Sequence, residues 1–186
     1  RERLAYDELL ANQLALFIVR KRQKRLSGRI NTGNGEFRER LIKSLPFRLT
    51  AGQNMAIREI AEDMASAQRM LRLLQGDVGS GKTIVALFSM VIAVEVGAQA
   101  ALMAPTEILA KQHFASIEPM AKRIGVKAAL ITGRDKGKQR EKIVTQLKNG
   151  ELDLVIGTHT LFEQDIIFKD LAMIVVDEQH RFGVHQ

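Results

Sequence analysis

The chain contains no cysteine, which excludes disulfides and thiolate metal sites and fits a reducing compartment. No apolar run approaches the ~20 residues of a membrane-spanning helix. The first residues, Arg1-Glu2-Arg3, do not read as a signal peptide, so a cytoplasmic location without a membrane partner is expected. There is no initiator methionine and the chain stops abruptly at Gln186, which together read as a piece of a longer protein. The four histidines form no H-E-x-x-H pattern and have no cysteine beside them, so no zinc site is expected. Internal repeats and low-complexity tracts are also missing. What is present is 186 residues, 46% hydrophobic and 26% charged, enough for one globular domain with a sizeable core plus an appendage.

The net charge of +7 is unevenly placed. Residues 1–48 hold 12 Lys/Arg against 5 Asp/Glu, while residues 49–186 hold 16 of each. The basic excess therefore belongs to an N-terminal arm, densest at Arg20-Lys21-Arg22-Gln23-Lys24-Arg25. Before that stretch, Tyr6, Leu10, Leu14 and Phe17 fall at i, i+4, i+8 and i+11 and predict one apolar stripe along a helix. The basic run fits two uses: lying along nucleic-acid phosphates, or serving as a solvated helix face. Asn31-Thr32-Gly33-Asn34-Gly35 is turn chemistry and predicts a break in the arm.

From Leu45 the chain alternates between strand-like and helical segments. Thr50 and Gln53 form a T-x-x-Q capping box before a helix carrying Ile57, Ile60, Ala61 and Met64. Strands are expected at Leu71–Leu74, Ala100–Ala104, Ala128–Thr132, Leu154–Gly157 and Met173–Val176. Helices are expected from the end of the Gly76–Thr83 loop to about Val96, from Pro105 through Lys122, and over Lys138–Lys148. Short apolar strands alternating with helices predict an α/β fold, a parallel sheet with helices on both faces.

Two segments carry chemistry. Gly76-Asp77-Val78-Gly79-Ser80-Gly81-Lys82-Thr83 is a complete G-x-x-x-x-G-K-[ST] phosphate-binding loop, directly after an apolar run and before Ile84, Val85, Leu87, Phe88, Val91 and Ile92 at helical spacing. Its glycines let backbone N–H groups wrap a phosphate against a helix N-terminus. Lys82 is expected to reach the β/γ-phosphates and Thr83 to ligate Mg²⁺. The second segment is Asp177-Glu178-Gln179-His180, at the end of a buried strand, where ligands of open α/β sheets bind. Asp177 suits water-mediated Mg²⁺ binding, and Glu178 suits orienting or deprotonating the water that attacks the γ-phosphate. ATP and Mg²⁺ are the expected cofactors. A P-loop switch that binds nucleotide without turnover has no need of Glu178, and no lid or carboxylate clamp of a small-molecule kinase is identifiable.

The ordered set Gly76–Thr83, Ala104-Pro105-Thr106-Glu107, Thr132-Gly133, Gly157-Thr158-His159 and Asp177–His180 resembles that of superfamily 2 helicases. The residues flanking the loop and the acidic motif, with Gln75 before the loop and Arg181-Phe182-Gly183-Val184-His185-Gln186 after the motif, resemble the RecG family of bacterial branched-DNA helicases. The transcription-repair coupling translocases are close relatives, but usually carry a second Glu where this chain has Gln179. The resemblance covers about residues 45–186 at high specificity and residues 1–44 more weakly.

This resemblance implies a RecA-like first motor domain over residues 45–186, incomplete at its C-terminus, behind a helical basic linker over residues 1–44. It implies that Phe47 and Gln53 recognise adenine, with Gln53 also able to serve as capping-box partner. Pro105, Thr106, Glu107, Thr132, Gly133, Gly157, Thr158 and His159 correspond to loops on the DNA backbone, a job suited to hydroxyls and helix N-termini. Gln179 and His180 correspond to residues linking nucleotide to the DNA groove. The implied activity is ATP-dependent translocation by a monomeric motor on branched double-stranded DNA, at forks and four-way junctions. In the family, a wedge domain reads the branch and a second motor domain supplies an arginine finger. A further strand normally lies between the loop strand and the acidic strand, and all three are expected in the parent protein.

Overall fold

The computed structural model of the protein describes residues 27–178. The expected apolar stripe from Tyr6 to Phe17, the basic run Arg20–Arg25, and Gln179 and His180 lie outside the described residues.

Eleven consecutive residues, Ile84 to Val94, are buried within one helix, Lys82–Glu95. A helix that is apolar all round has no solvent face to keep and becomes the centre of a core. Two shorter helices precede it, α1 (Glu36–Ser44) and α2 (Ala51–Met64), so the central helix is α3. The chain continues through β1 (Gln99–Met103), α4 (Glu107–Arg123), β2 (Ala128–Ile131), α5 (Gly137–Asn149), β3 (Leu154–Gly157), a single 3-10 turn at His159–Phe162, and β4 (Leu171–Val176). Four strands form one parallel sheet in the order β2-β3-β1-β4.

The strand period of two separates two cores. Ala100, Leu102, Leu154 and Ile156 face a cluster that includes α3 and Ala110, Ile117 and Ala121 of α4. Their neighbours Ala101, Met103 and Val155 face the other way, onto Ile131, Leu147 of α5 and Leu161. Helices therefore cover both faces, as expected.

One predicted strand does not form. Leu71–Leu74 forms neither helix nor ladder among the described residues, and Leu71 and Leu73 are 75% and 71% exposed. An extended segment becomes a strand only by sharing a ladder. Here β4 pairs with β1 alone, and Ile174 and Val176 are exposed. Met70 and Leu74 still pack against the α3 core, which holds the segment in line with the phosphate loop.

The stretch Asn31–Gly35 is more firmly held than turn composition suggested. The Asn31 N–H donates to the Met64 carbonyl at 2.8 Å. The carboxylate of Glu95, at the end of α3, accepts from the N–H groups of Gly35 (3.1 Å) and Arg38 (2.9 Å) and from Arg38 Nε (2.9 Å). Glu95 thereby caps α1, whose own N-cap Gly35 has no side chain for the task. Leu41 of α1 is fully buried in the α3 core. Residues 27–44 thus pack onto the α/β body without a break.

Candidate functional site

The capping box forms as its spacing predicted. Thr50 Oγ1 accepts from Gln53 N–H (3.2 Å), and Gln53 Oε1 accepts from Thr50 N–H (2.9 Å). The same Gln53 amide donates from Nε2 to the Ser80 carbonyl inside the phosphate loop, at 2.9 Å. The start of α2 is therefore tied to the loop, and Nε2 keeps a second proton for another acceptor.

Positive φ at Gly79 and Gly81 favours glycine in the loop, and side chains approach Gly76 and Gly81 closely. A Cβ at Gly81 would lie 2.3 Å from Gln53 Nε2, at a φ of 82°, and one at Gly76 would lie 2.7 Å from Ser80 Oγ. Gly79, also left-handed at 81°, faces open space. Backbone bonding into the helix starts with Ile84 N–H to Gly81 carbonyl at 3.0 Å, so the earlier N–H groups of the first turn have no helical acceptor. Lys82 bends back over the loop, its Nζ donating to the carbonyls of Gly76 (2.7 Å) and Asp77 (2.8 Å). A mobile cation bonded to two carbonyls of a glycine-rich loop is chemically matched to a phosphate.

Beside the loop is a cleft of about 380 Å³, lined by Phe47, Gln53, Gly79, Gly81 and Thr83, and also by Arg48, Ile84, Ser116 and Met120. The expected aromatic and glutamine thus share one cleft with the loop. Sequence reasoning missed Arg48, Ser116 and Met120. Ser116 and Met120 come from α4, and nothing in the spacing of that helix marks them as other than ordinary helix positions.

Helix α4 also reaches the acidic motif. The Asp177 N–H donates to the Met103 carbonyl at 2.9 Å, and its carboxylate Oδ2 lies 2.7 Å from Nε2 of His113, which is largely buried. His113 and Ser116 are one turn apart on the same helix face. A single turn of α4 therefore links Asp177 to the cleft that contains Thr83. Glu178 has a φ of 50°, the one described non-glycine residue in the left-handed region. That backbone costs on the order of 1–3 kcal/mol and collects at functional sites. Thr83 and Asp177 offer hydroxyl and carboxylate oxygens, the hard donors that Mg²⁺ takes. No group of three or more His, Cys, Asp or Glu capable of caging a metal exists among the described residues. The donors fit Mg²⁺ held by one or two protein oxygens, phosphates and water.

The remaining expected residues gather at the carboxyl ends of three adjacent strands. Pro105-Thr106-Glu107 follows β1, Thr132-Gly133 follows β2, Gly157 ends β3 with Thr158-His159 after it, and Ala104 N–H donates to Gly157 carbonyl at 2.9 Å. Thr106 Oγ1 caps α4 by accepting from Leu109 N–H at 3.3 Å. The threonines of the other two loops turn inward. Thr132 and Thr158 are each 2% exposed. Thr132 donates through both N–H and hydroxyl to Asp135, and the Thr158 hydroxyl pairs with Thr160. Their side chains thus set loop shape, while Gly133 and His159 are exposed. Glu107 pairs with the highly exposed Arg134 at 2.9 Å, a cation at this edge that the motif reading passed over.

A glycine-rich loop leading into a helix packed on a parallel sheet, with a carboxylate pair at the carboxyl end of that sheet's edge strand, defines a RecA-like P-loop domain. A comparison with protein-family models matches residues 50–186 to DEAD/DEAH box helicases, and the chain belongs to that family. It is 47% identical over 186 residues to the ATP-dependent DNA helicase RecG of Thermotoga maritima and 46% identical over 187 residues to that of Bacillus subtilis. All of this chain is matched in each case, against 24% and 27% of the relative, so the chain spans about a quarter of their length. Among solved structures, RecG bound to a three-way DNA junction matches 98% of this chain and 25% of that one, at 46% identity and a TM-score of 0.88. A hypothetical ATP-dependent RNA helicase from Sulfolobus tokodaii shares the fold at 18% identity and a TM-score of 0.56, over 79% of this chain and 42% of that one. No described helix is long and apolar enough to cross a membrane.

Proposed function

We propose that this chain is the ATP-binding part of a monomeric, cytoplasmic helicase that moves on branched double-stranded DNA, at replication forks and four-way junctions, in recombination and repair. The observation that carries the reading is the α4 connection, in which Ser116 shares the cleft of Phe47, Gln53 and the phosphate loop while His113 holds Asp177 one turn away. The named activity of the RecG relatives supports the same reading.

In this reading Phe47 packs near adenine and the second Nε2 proton of Gln53 bonds its edge. Backbone N–H groups of Gly76 to Thr83, with Asp77, Val78, Gly79, Ser80 and Gly81 between, surround the phosphates, and Lys82 exchanges the carbonyls of Gly76 and Asp77 for phosphate oxygens. Thr83 and Asp177 would hold Mg²⁺, which supplies charge neutralisation on the phosphates when bound. Glu178 orients and deprotonates the attacking water. Gln179 and His180 carry the nucleotide's state toward the DNA groove. Pro105, Thr106, Glu107, Gly133 and His159 meet the DNA backbone, with Thr132, Gly157 and Thr158 shaping the loops that do so. Glu178 favours turnover over a non-hydrolysing switch, because a switch requires no general base beside Asp177.

The test uses the longer protein to which the chain belongs. Calorimetric titration should show ATP binding in the presence of Mg²⁺, with Lys82→Ala losing most of the affinity. Glu178→Gln should abolish DNA-stimulated hydrolysis while binding stays largely intact. Unchanged ATP affinity in the Lys82→Ala protein overturns the reading.

A further inference from the structure

We propose that His113 is a positioning residue for the Mg²⁺-nucleotide site, and that it ties this site to the DNA-facing end of α4. The inference rests on the function proposed above. Asp177 Oδ2 lies 2.7 Å from His113 Nε2, with the imidazole 15% and the carboxylate 29% exposed. An ionised carboxylate only accepts hydrogen bonds, so Nε2 carries the proton and donates. One Asp177 oxygen is thereby committed to His113, which fixes the carboxylate and leaves Oδ1 as the oxygen not engaged by that contact.

The backbone closes the same frame. Asp177 N–H is bonded to Met103 carbonyl, and Met103 ends β1 just before Ala104-Pro105. Both ends of the Asp177 residue, main chain and side chain, are thus held by the β1–α4 unit. Thr106, the N-cap of that helix, and Glu107, its first residue, lie between Met103 and His113 along the unit, about two turns before His113. A rigid helix transmits a shift at its N-cap to a side chain two turns along, and the hydrogen bond from His113 delivers that shift to Asp177. Groups that orient a metal-binding carboxylate typically change affinity or activity by about 10–100-fold when removed.

The experiment uses the longer protein, with a non-hydrolysable ATP analogue as probe and calorimetry or fluorescence as readout. The Mg²⁺ concentration needed for half-maximal tightening of analogue binding is measured for wild type, His113→Ala and His113→Gln, alongside affinity in EDTA and affinity for duplex DNA without nucleotide. We expect His113→Ala to raise the Mg²⁺ requirement about tenfold or more. EDTA-state affinity and nucleotide-free DNA affinity should stay at wild-type values. His113→Gln, whose amide offers an N–H at similar reach, should recover most of the loss. A wild-type Mg²⁺ requirement in His113→Ala overturns the inference while leaving the nucleotide site intact. Equal loss of EDTA-state affinity in both variants overturns it in favour of a packing role. If wild type binds no nucleotide, the functional reading fails and this inference falls with it.

Discussion

Replacing Glu95 with Ala tests how firmly the N-terminal segment is joined to the helix that begins at the phosphate loop. The Glu95 side chain is fully buried and its partner Arg38 is 24% exposed. It accepts three hydrogen bonds, two from main-chain N–H groups at the start of α1 and one from the Arg38 guanidinium. Loss of a helix cap costs about 1 kcal/mol, and loss of a hydrogen bond to a charged partner costs about 1.5–3 kcal/mol. Removing one member of a buried pair typically costs about 3–5 kcal/mol in total, because the other charge is left desolvated. A loss of ~3 kcal/mol corresponds to about two powers of ten in an opening equilibrium. Hydrogen exchange of the longer protein, read on peptides spanning α1, should therefore show protection falling by about a hundredfold in Glu95→Ala. The α4 and β1 peptides should keep theirs, since local opening need not spread through the core. Glu95→Gln, which preserves an acceptor but not the charge, should fall between. Protection of α1 within about threefold of wild type in Glu95→Ala would show that Leu41 packing alone holds the helix and that the buried pair adds nothing.

Two further outcomes are expected. If the Arg20–Arg25 run lies on DNA phosphates, replacing its basic residues with Gln should reduce the magnitude of the slope of log affinity against log salt by about 0.9 per lost contact on duplex DNA; an unchanged slope assigns the run to a solvated face. The 186-residue chain alone should bind ATP but hydrolyse it on the order of 10³–10⁵-fold more slowly than the longer protein, the usual worth of an arginine finger. Equal rates would make this a self-sufficient ATPase and overturn the two-domain motor.

The fold was legible wherever the deciding interactions are local or the pattern is long. The capping box at Thr50 and Gln53 needs only three residues of chain, and both of its hydrogen bonds are present. The β/α alternation located four of five strands to within a residue or two: β1 and β2 lie between helices long enough to show their own period, and β3 and β4 are short apolar runs. Leu71–Leu74 is also leucine-rich, although it includes Arg72, and it has no ladder partner among the described residues. Pairing is non-local, and composition cannot report it. The docking of α1 was hidden for a related reason. Glu95 looks like an ordinary polar helix end until Gly35 and Arg38, about sixty residues earlier, are brought against it.

The phosphate loop could be read from sequence because its pattern occupies eight consecutive residues. The site around it is assembled differently. Gln53 joins the loop across 27 positions, His113 joins Asp177 across 64, and Ser116 and Met120 enter the cleft from a helix whose spacing signals only packing. Each is an ordinary residue type in an ordinary helix, and its role depends on which strand ends beside it. The inward-turned Thr132 and Thr158 make the same point from the other side. A motif match names the loop, but burial decides whether the hydroxyl or the backbone is the part presented. At the carboxyl edge of this sheet Thr106, Gly133, Arg134 and His159 are exposed, and Glu107, paired with Arg134, is half-buried. Because Glu107 and Arg134 neutralise one another, a DNA phosphate approaching Arg134 must compete with a carboxylate already 2.9 Å away. Any phosphate contact there is an exchange of partners, and it acts at the first residue of the helix that holds Asp177.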